Sequence, residues 1–511
     1  MNNNLKKILI AIFYGIFILI FGYVVWKLFL VDYTKNLFTK QANQAVVYQD
    51  KFRIVYPQDI ASLEPIVVDP NTRQRLLNVY ESLIKPDRDL KNRPALALSW
   101  GILDDLTWEF HLRPNVKFHD GSAFTAKDVV SSINRGMNHE GSEVVGFLDS
   151  IVKIEVIDDL TLRIKTSSPD PLLLQKLSLV LIIPSEYERE EIIDNPIGTG
   201  LYKFKSWEVG TKITLEKNND YWGDMAKFNE VEIYSQPDKF ARVDEFLADK
   251  YDMLVSVPYD LVSSIDEAKY QIYKIPSLEV QFLFFNFKSE LMKFREVRQM
   301  ISYLINQDEL ISAVGGFART ASQFISSGIF GYNPKIKEHE YDLKKAKQLA
   351  TEKGLVGETF QLHLFVGMDF LGDYLRDKFN KIGINLVVSY LEPIDLVKSM
   401  QDAKADMYFM AFKADLGDSL NFFEVIAKTA AEYNFSNYSN SYIDRLVDET
   451  KIEMDDLLRR KNLQTAMKML IEEDILGVPL FEYEAVYSLK NQFSFNPRID
   501  GMIYLEDINI K

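Results

Sequence analysis

From Ile8 to Trp26 the chain runs nineteen residues without a charge, bounded by Lys6 and Lys7 on one side and Lys27 on the other. As a helix at about 1.5 Å per residue this stretch reaches about 28 Å, enough for a hydrocarbon core, whereas the apolar region of a cleavable signal peptide is about 7 to 15 residues. The pattern predicts an uncleaved, single-pass anchor. Lys6, Lys7 and the terminal amine orient it with the N-terminus inside and the body outside. An unusually long signal peptide is the alternative, although Ala42 and Ala45 lack the spacing usual for cleavage. After Lys51 no comparable apolar span occurs, and the remaining 460 or so residues read as a soluble body.

Within that body the period of the pattern changes. Between Phe52 and Asn218, short runs alternate apolar and polar positions. Val152 to Val156 and Thr161 to Lys165 flank Asp158-Asp159 and predict a hairpin. Thr125 is placed to cap a helix over Ala126 to Arg135, with Asp128 in its first turn against the helix dipole. In the second half strands alternate with helices. Val297, Ile301, Leu304 and Ile305 mark an amphipathic helix, and Asp342 opens another that Gly354 can close. There follow a strand over Phe360 to Phe365, a helix over Tyr374 to Lys381, a strand over Ile384 to Tyr390, a helix over Ile394 to Gln401 and a strand over Met407 to Phe412. Such alternation predicts a βαβ lobe with right-handed crossovers. The fold class is therefore α/β, with at least two unlike lobes and a cleft between them where a small ligand would bind.

Composition narrows the functions open to such a chain. The 511 residues suffice for about three to four domains. With 59 Lys and Arg against 74 Asp and Glu, the net charge of −15 repels phosphate backbones, so no nucleic acid partner is expected. The lack of cysteine excludes disulfides, thiolate nucleophiles, Cys-ligated zinc, iron–sulfur clusters and a lipid-modified N-terminal cysteine. The five histidines form no H-E-x-x-H pair, and neither a phosphate loop nor a G-x-S-x-G elbow is present. Gly198-Thr199-Gly200 begins like a dinucleotide loop but lacks the third glycine and the helix, and reads as a turn. The chain reads as a binding protein, not an enzyme, and no cofactor or metal is expected.

Five ordered blocks carry a resemblance. Pro94 to Trp100, Trp108 to Gly121 and Phe124 to Val129 form the first, and Pro196-Ile-Gly-Thr-Gly-Leu-Tyr202 with Asn218-Asn-Asp-Tyr-Trp222 the second. Asn286 with Phe294-Arg-Glu-Val-Arg298, then Ala405-Asp406 through Asp415 to Asp444, then Val478-Pro-Leu-Phe-Glu-Tyr483 complete the series. From about Phe52 to its end the chain resembles the family 5 extracellular solute-binding proteins, the oligopeptide- and dipeptide-binding receptors of ABC importers. The resemblance implies a two-lobed periplasmic-binding-protein-like clamp of the three-domain peptide-binding type. After an anchor and linker (1–44), a discontinuous lobe I would take 45–79, 195–285 and 486–511, an accessory domain II 80–194, and lobe III 286–485. It also implies a monomer whose partners are a peptide ligand, an ABC permease and its ATPase subunits, with an extended peptide held mainly through its backbone.

In peptide-binding members an aspartate soon after a tryptophan pairs with the free amino group of the ligand, and the matching position is Asp415, three after Phe412. A buried ammonium loses its hydration, and a carboxylate must replace that water. The alternative for Asp415 is a solvated loop residue or a cap for a helix over Leu420 to Ala427. Phe412 stands where the family has tryptophan, and Ser419 where it has proline. Tyr483 matches a family tyrosine that faces the ligand, with a core tyrosine as the alternative. Phe282 and Phe284 lie on the strand where the family lines its cleft, although an apolar strand is more often core. Met400 and Phe409 occupy places where some members grip a ligand carboxylate with arginine, leaving Lys404 and Lys413 as substitutes. The expected function is a membrane-tethered receptor at the bacterial cytoplasmic membrane, its body on the periplasmic or extracellular side, that captures oligopeptides or similar amine-bearing ligands for import. An anchored peptide sensor or assembly factor is the alternative.

Overall fold

In the computed structural model, which describes residues 49–511, the chain enters on β1 (Gln49–Tyr56) and makes the small hairpin β2 (Ile84–Pro86) and β3 (Asn92–Pro94). The stretch from Ile8 to Trp26 lies outside the described residues, and among the described residues no helix is long and apolar enough to cross a membrane. Next come β4 (Ala97–Asp104), β5 (Thr107–Leu112), β6 (Ile151–Asp158) and β7 (Thr161–Thr166), which form a separate four-stranded sheet in the order β4-β5-β7-β6. The pair β6–β7 turns at Asp158-Asp159, as the alternation predicts. The helix Ala126–Asn138 begins on Thr125, whose N–H donates to the Asp128 carboxylate at 2.7 Å, and it runs three residues past the predicted Arg135.

The chain then returns to the first sheet with β8 (Tyr202–Glu208), β9 (Lys212–Lys217), β10 (Phe228–Ser235) and β11 (Met253–Leu254), and continues into β12 (Tyr270–Phe285). The second half adds β13 (Ala318–Thr320), β14 (Thr359–Phe365), β15 (Asn385–Leu391), β16 (Met407–Lys413) and β17 (Gly477–Lys490) before β18 (Phe493–Phe495) and β19 (Ile508–Ile510) close the chain. The main sheet has eleven strands in the order β15-β14-β16-β12-β17-β11-β1-β10-β9-β8, with β13 on β17. Parallel pairing of β14 with both β15 and β16, across the helices Asp369–Lys381 and Pro393–Gln401, is the expected βαβ arrangement.

Two strands tie the halves together. β12 and β17 are sixteen and fourteen residues long and pair antiparallel along most of their length. At one end β17 pairs with β11, and at the other β12 pairs with β16. Along β12, Phe282 and Phe284 enter one hydrophobic core while Leu283 and Phe285 enter another, the two-residue alternation of a sheet covered on both faces. A third core lies under β1 and β8–β10, with Phe52 stacked on Phe228 at 4.7 Å, and a fourth under the four-stranded sheet.

The glycine pair at 198 and 200 works as a turn because backbone approaches it closely. A Cβ on Gly198 would stand 2.1 Å from the Val79 carbonyl oxygen, and one on Gly200 2.6 Å from the same atom. His119 locks this turn: its Nε2 lies 3.0 Å from the Gly200 carbonyl, and its Nδ1 accepts the Gly198 N–H at 3.3 Å. That arrangement fixes a neutral imidazole with the proton on Nε2. Burial lowers its pKa from 6.5 to about 4. The unfolded chain therefore binds a proton that the fold refuses, and stability present above pH 6.5 is lost as pH falls toward 4. In urea unfolding, His119→Gln should lose about 2 kcal/mol less than the wild type between pH 7 and pH 4.5. Equal losses would show that the imidazole is not held neutral.

Candidate ligand-binding site

The pairing of β12 with β17 breaks between Pro276 and Val280, where residues 277 to 279 bulge opposite Tyr483. Leu278 takes a left-handed backbone, φ 64°, which costs a non-glycine residue about 1–2 kcal/mol. Its N–H donates to Glu482 Oε1 at 2.9 Å, and Arg319 Nε holds the other oxygen of that buried carboxylate at 2.7 Å. The Leu278 side chain is itself buried, and burial of that size offsets the strain by about 1.5–3 kcal/mol.

Leu278 forms part of the lining of a cavity of about 120 Å³. One wall is the segment following β16, from Lys413 through Asp415 to Gly417. The facing wall comes from Arg73 and Leu77 of the helix Pro70–Leu76 and its C-cap, Asn92 of β3 and Gln175 of the helix Leu173–Ser178. Asp500 and Tyr504 from the C-terminal return close the end. The two walls touch where Gly417, at φ 68°, lies so near Leu90 that a Cβ would stand 3.1 Å from its Cδ1. Lys413 Nζ also reaches the Asp500 carbonyl at 3.4 Å. A second recess of about 370 Å³ shares Phe147 and Leu416 with the first and carries Ser150, Asp170, Lys176 and Lys451 on its walls.

Of the residues singled out from the sequence, Asp415 and Lys413 line the cavity. The Asp415 side chain is 66% exposed, so water touches its oxygens, yet the surrounding walls displace enough bulk solvent to raise its pKa above 3.8. Lys413, 3.9 Å from Oδ1, opposes that rise. Asp415 does not cap the following helix: Asp418, buried and paired with Arg459 at 2.7 Å, accepts the Leu420 N–H at 2.8 Å.

The aromatic candidates stand elsewhere. Phe282 and Phe284 are fully buried, not on the cavity wall, because Phe324 packs on Phe282 with centroids 5.0 Å apart and Phe422 at 6.4 Å. Phe412 is half-buried at the end of β16, edge-on to Phe422 at 5.2 Å, and so fixes the root of the segment that carries Asp415. Tyr483 faces Tyr259 at 5.9 Å beside the strand break, outside the cavity lining. Lys404 pairs with Asp402 at 3.1 Å, away from the cavity. Sequence reading passed over Arg73, Asn92, Gln175 and Leu278. Only the tertiary fold brings them to one recess.

Removing the Lys413 charge should leave burial unopposed at Asp415. In ¹³C-carboxyl titrations assigned by difference with Asp415→Asn, Asp415 should titrate above 3.8 in the wild type and higher still in Lys413→Met. An unmoved midpoint would mean that the two groups do not interact.

The model for bacterial extracellular solute-binding proteins, family 5 middle, matches residues 91–434. The dipeptide-binding protein of Escherichia coli K12 is 26% identical over 386 residues, covering 68% of this chain and 72% of its own. Heme-binding protein A of Haemophilus influenzae is 26% identical over 470 residues, 83% of this chain and 84% of its own. Among solved structures, the ABC transporter-associated periplasmic binding protein DppA of Helicobacter pylori in complex with peptide STSA superposes with a TM-score of 0.73 at 25% identity, over 92% of this chain and 99% of that one.

Proposed function

Because this chain belongs to the family 5 bacterial extracellular solute-binding proteins, non-enzymatic binding proteins of two-lobed α/β build, we propose that it captures oligopeptides, or similar amine-bearing solutes, in the cavity beside Asp415 and delivers them to an ABC permease. The observation that carries this reading is Asp415 itself. It is a carboxylate at the rim of a recess, held just past a packed strand end, whose neighbouring cation is a lysine ammonium 3.9 Å away. That lysine occupies the ground a ligand ammonium would take, so an arriving amine exchanges one cation for another and does not bury a naked charge. The other wall groups, a guanidinium and two side-chain amides, suit the amides and termini of a peptide. The family also includes relatives named for haem and nickel, so the peptide assignment rests on this wall chemistry and not on membership.

Calorimetric titration of the soluble body with Ala-Ala-Ala tests the reading. Asp415→Ala should weaken binding roughly ten- to hundredfold, the range for a hydrogen bond to a charged group, with unchanged circular dichroism. N-acetylation of the peptide should weaken wild-type binding by a similar factor and add little in Asp415→Ala. Unchanged affinity in either comparison removes Asp415 from the amine site.

The charge-free stretch from Ile8 to Trp26 supports a second element, permanent tethering at the cytoplasmic membrane. A tether raises the receptor's concentration near a membrane partner without any new contact. Full-length protein should remain with membranes after an alkaline carbonate wash, and protein lacking residues 1–44 should be released. Full-length protein in the soluble fraction would remove the tether.

A further inference from the structure

Arg73 is a buried cation with no salt-bridge partner among the described residues, although the field of Asp500 on the same cavity partly offsets its burial. Arg73 is 6% exposed and lines the same cavity as Asp415. Its Nη1 donates to the Leu179 carbonyl at 2.9 Å and its Nη2 to the Ser178 carbonyl at 2.7 Å, so the guanidinium is oriented, but no carboxylate is paired with it among the described residues. Three other buried arginines have carboxylate partners. Arg135 pairs with Glu64 at 2.8 Å, Arg459 with Asp418 at 2.7 Å and Arg498 with Asp500 at 2.6 Å. Arg75, in the same helix, lies over the Tyr56 ring at 3.7 Å. Arg242 and Arg298 also donate to carbonyls, but neither lines this cavity. Burial lowers the Arg73 pKa to about 10, which still leaves it cationic at neutral pH. A desolvated cation of this kind is strongly stabilised by an anion that arrives in the same recess.

Two further groups on this wall lack partners. Gln175 Oε1 and Asn92 Oδ1 are buried and make no hydrogen bond, and each unmet polar atom costs roughly 1–3 kcal/mol. Whichever way these amides are turned, the wall presents hydrogen-bonding capacity that the protein does not use.

We propose that Arg73, with Asn92 and Gln175 beside it, is the site for a carboxylate of the ligand, so that the cleft takes a zwitterion with its ammonium at Asp415 and its carboxylate at the facing wall. The ammonium half rests on the peptide reading above, whereas the carboxylate half stands on Arg73 alone. The carboxylate could be a peptide C-terminus or an acidic side chain, and planar bidentate recognition by guanidinium serves both.

Two matched pairs of probes separate these sources: Ala-Ala-Ala against its C-terminal amide, and Ala-Glu amide against Ala-Gln amide. In the wild type, one pair should show roughly ten- to hundredfold tighter binding of the acid. The first pair reports a C-terminal carboxylate and the second a side chain. In Arg73→Gln that preference should shrink to within about threefold, with the N-acetylation penalty at Asp415 retained. Arg73→Lys, which keeps the charge, should restore part of the preference and guards against a variant that fails to fold. Equal binding of acid and amide in both wild-type pairs, or an undiminished preference in Arg73→Gln, overturns the inference and leaves the peptide reading intact. If none of the peptides binds, the peptide reading falls, and thermal protection by butyrate against butyramide decides the matter. Protection specific to butyrate and lost in Arg73→Gln sustains the carboxylate site, and identical behaviour of the two compounds overturns it.

Discussion

The break in the β12–β17 ladder is the constraint on which the site depends. An uninterrupted antiparallel pair would carry the sheet flat from one half to the other. The bulge of residues 277 to 279 instead inserts extra backbone opposite Tyr483, and a bulge bends its strand and increases the local twist. The bend is fixed by one buried carboxylate: Glu482 accepts the Leu278 N–H with one oxygen and Arg319 with the other. Arg319 extends the link to Ser326 Oγ at 3.0 Å. Strain in the Leu278 backbone is thus held by hydrogen bonds on one side and by apolar burial on the other, and Leu278 becomes part of the cavity lining. On the other side of β12, the pairing of β16 runs as far as Glu279 with Lys413, which sets where β16 ends and hence where Asp415 emerges.

The charges around the recess follow from this geometry. Lys413 leaves the sheet two residues before Asp415 and touches both that carboxylate and the Asp500 carbonyl of the opposing segment. It therefore links the two sides of the cleft while competing for the aspartate. The competition is weak, since a pair with one partner two-thirds exposed is worth about 0–1 kcal/mol. A weak internal partner is what a binding carboxylate needs: it limits the penalty of an empty site and is displaced at small cost. Asp418, three residues on, has the opposite arrangement. Both it and Arg459 are essentially inaccessible, and loss of either partner would strand a buried charge at about 3–5 kcal/mol. Two aspartates in one short loop thus differ in setting, one locked in a buried ion pair and one exposed with a weak partner.

Much of the fold was legible in the sequence because local rules and tertiary packing agree there. The hairpin at Asp158-Asp159, the cap at Asp342 and the strand–helix alternation from residue 359 to 413 appear as read, with boundaries moved by a few residues. The predicted helix from Leu420 to Ala427 is helical throughout, with its winding widening after Phe422 into a π-helix over Phe423–Ala427. The site was less legible. Asp415 could be found because a motif marks it. Phe282 and Phe284 were ambiguous because a strand covered on both faces is apolar throughout, so its pattern does not tell core from cleft. Arg73 left no signal, since a buried, unpaired arginine and a solvated one look alike in a helix. What separates them is whether Ser178, Leu179 and Gln175 come to meet it from a hundred residues away.

That separation bears on how such a clamp could change its ligand. The Asp415 wall is built by local means: the end of one strand, an aromatic anchor at Phe412 and a glycine at 417. The facing wall draws on three distant segments around residues 73, 92 and 175, together with the C-terminal return at 500 to 504. Substitutions there alter size and charge without disturbing β16, whereas changes near Asp415 disturb the packing of Phe412 and Phe422 as well. The Asp415 wall is therefore the constrained side of the cavity and the other wall the adjustable one. An adjustable wall facing a fixed one suits a family whose members differ in what they hold, because ligand choice can then drift while the frame that closes on it keeps its shape.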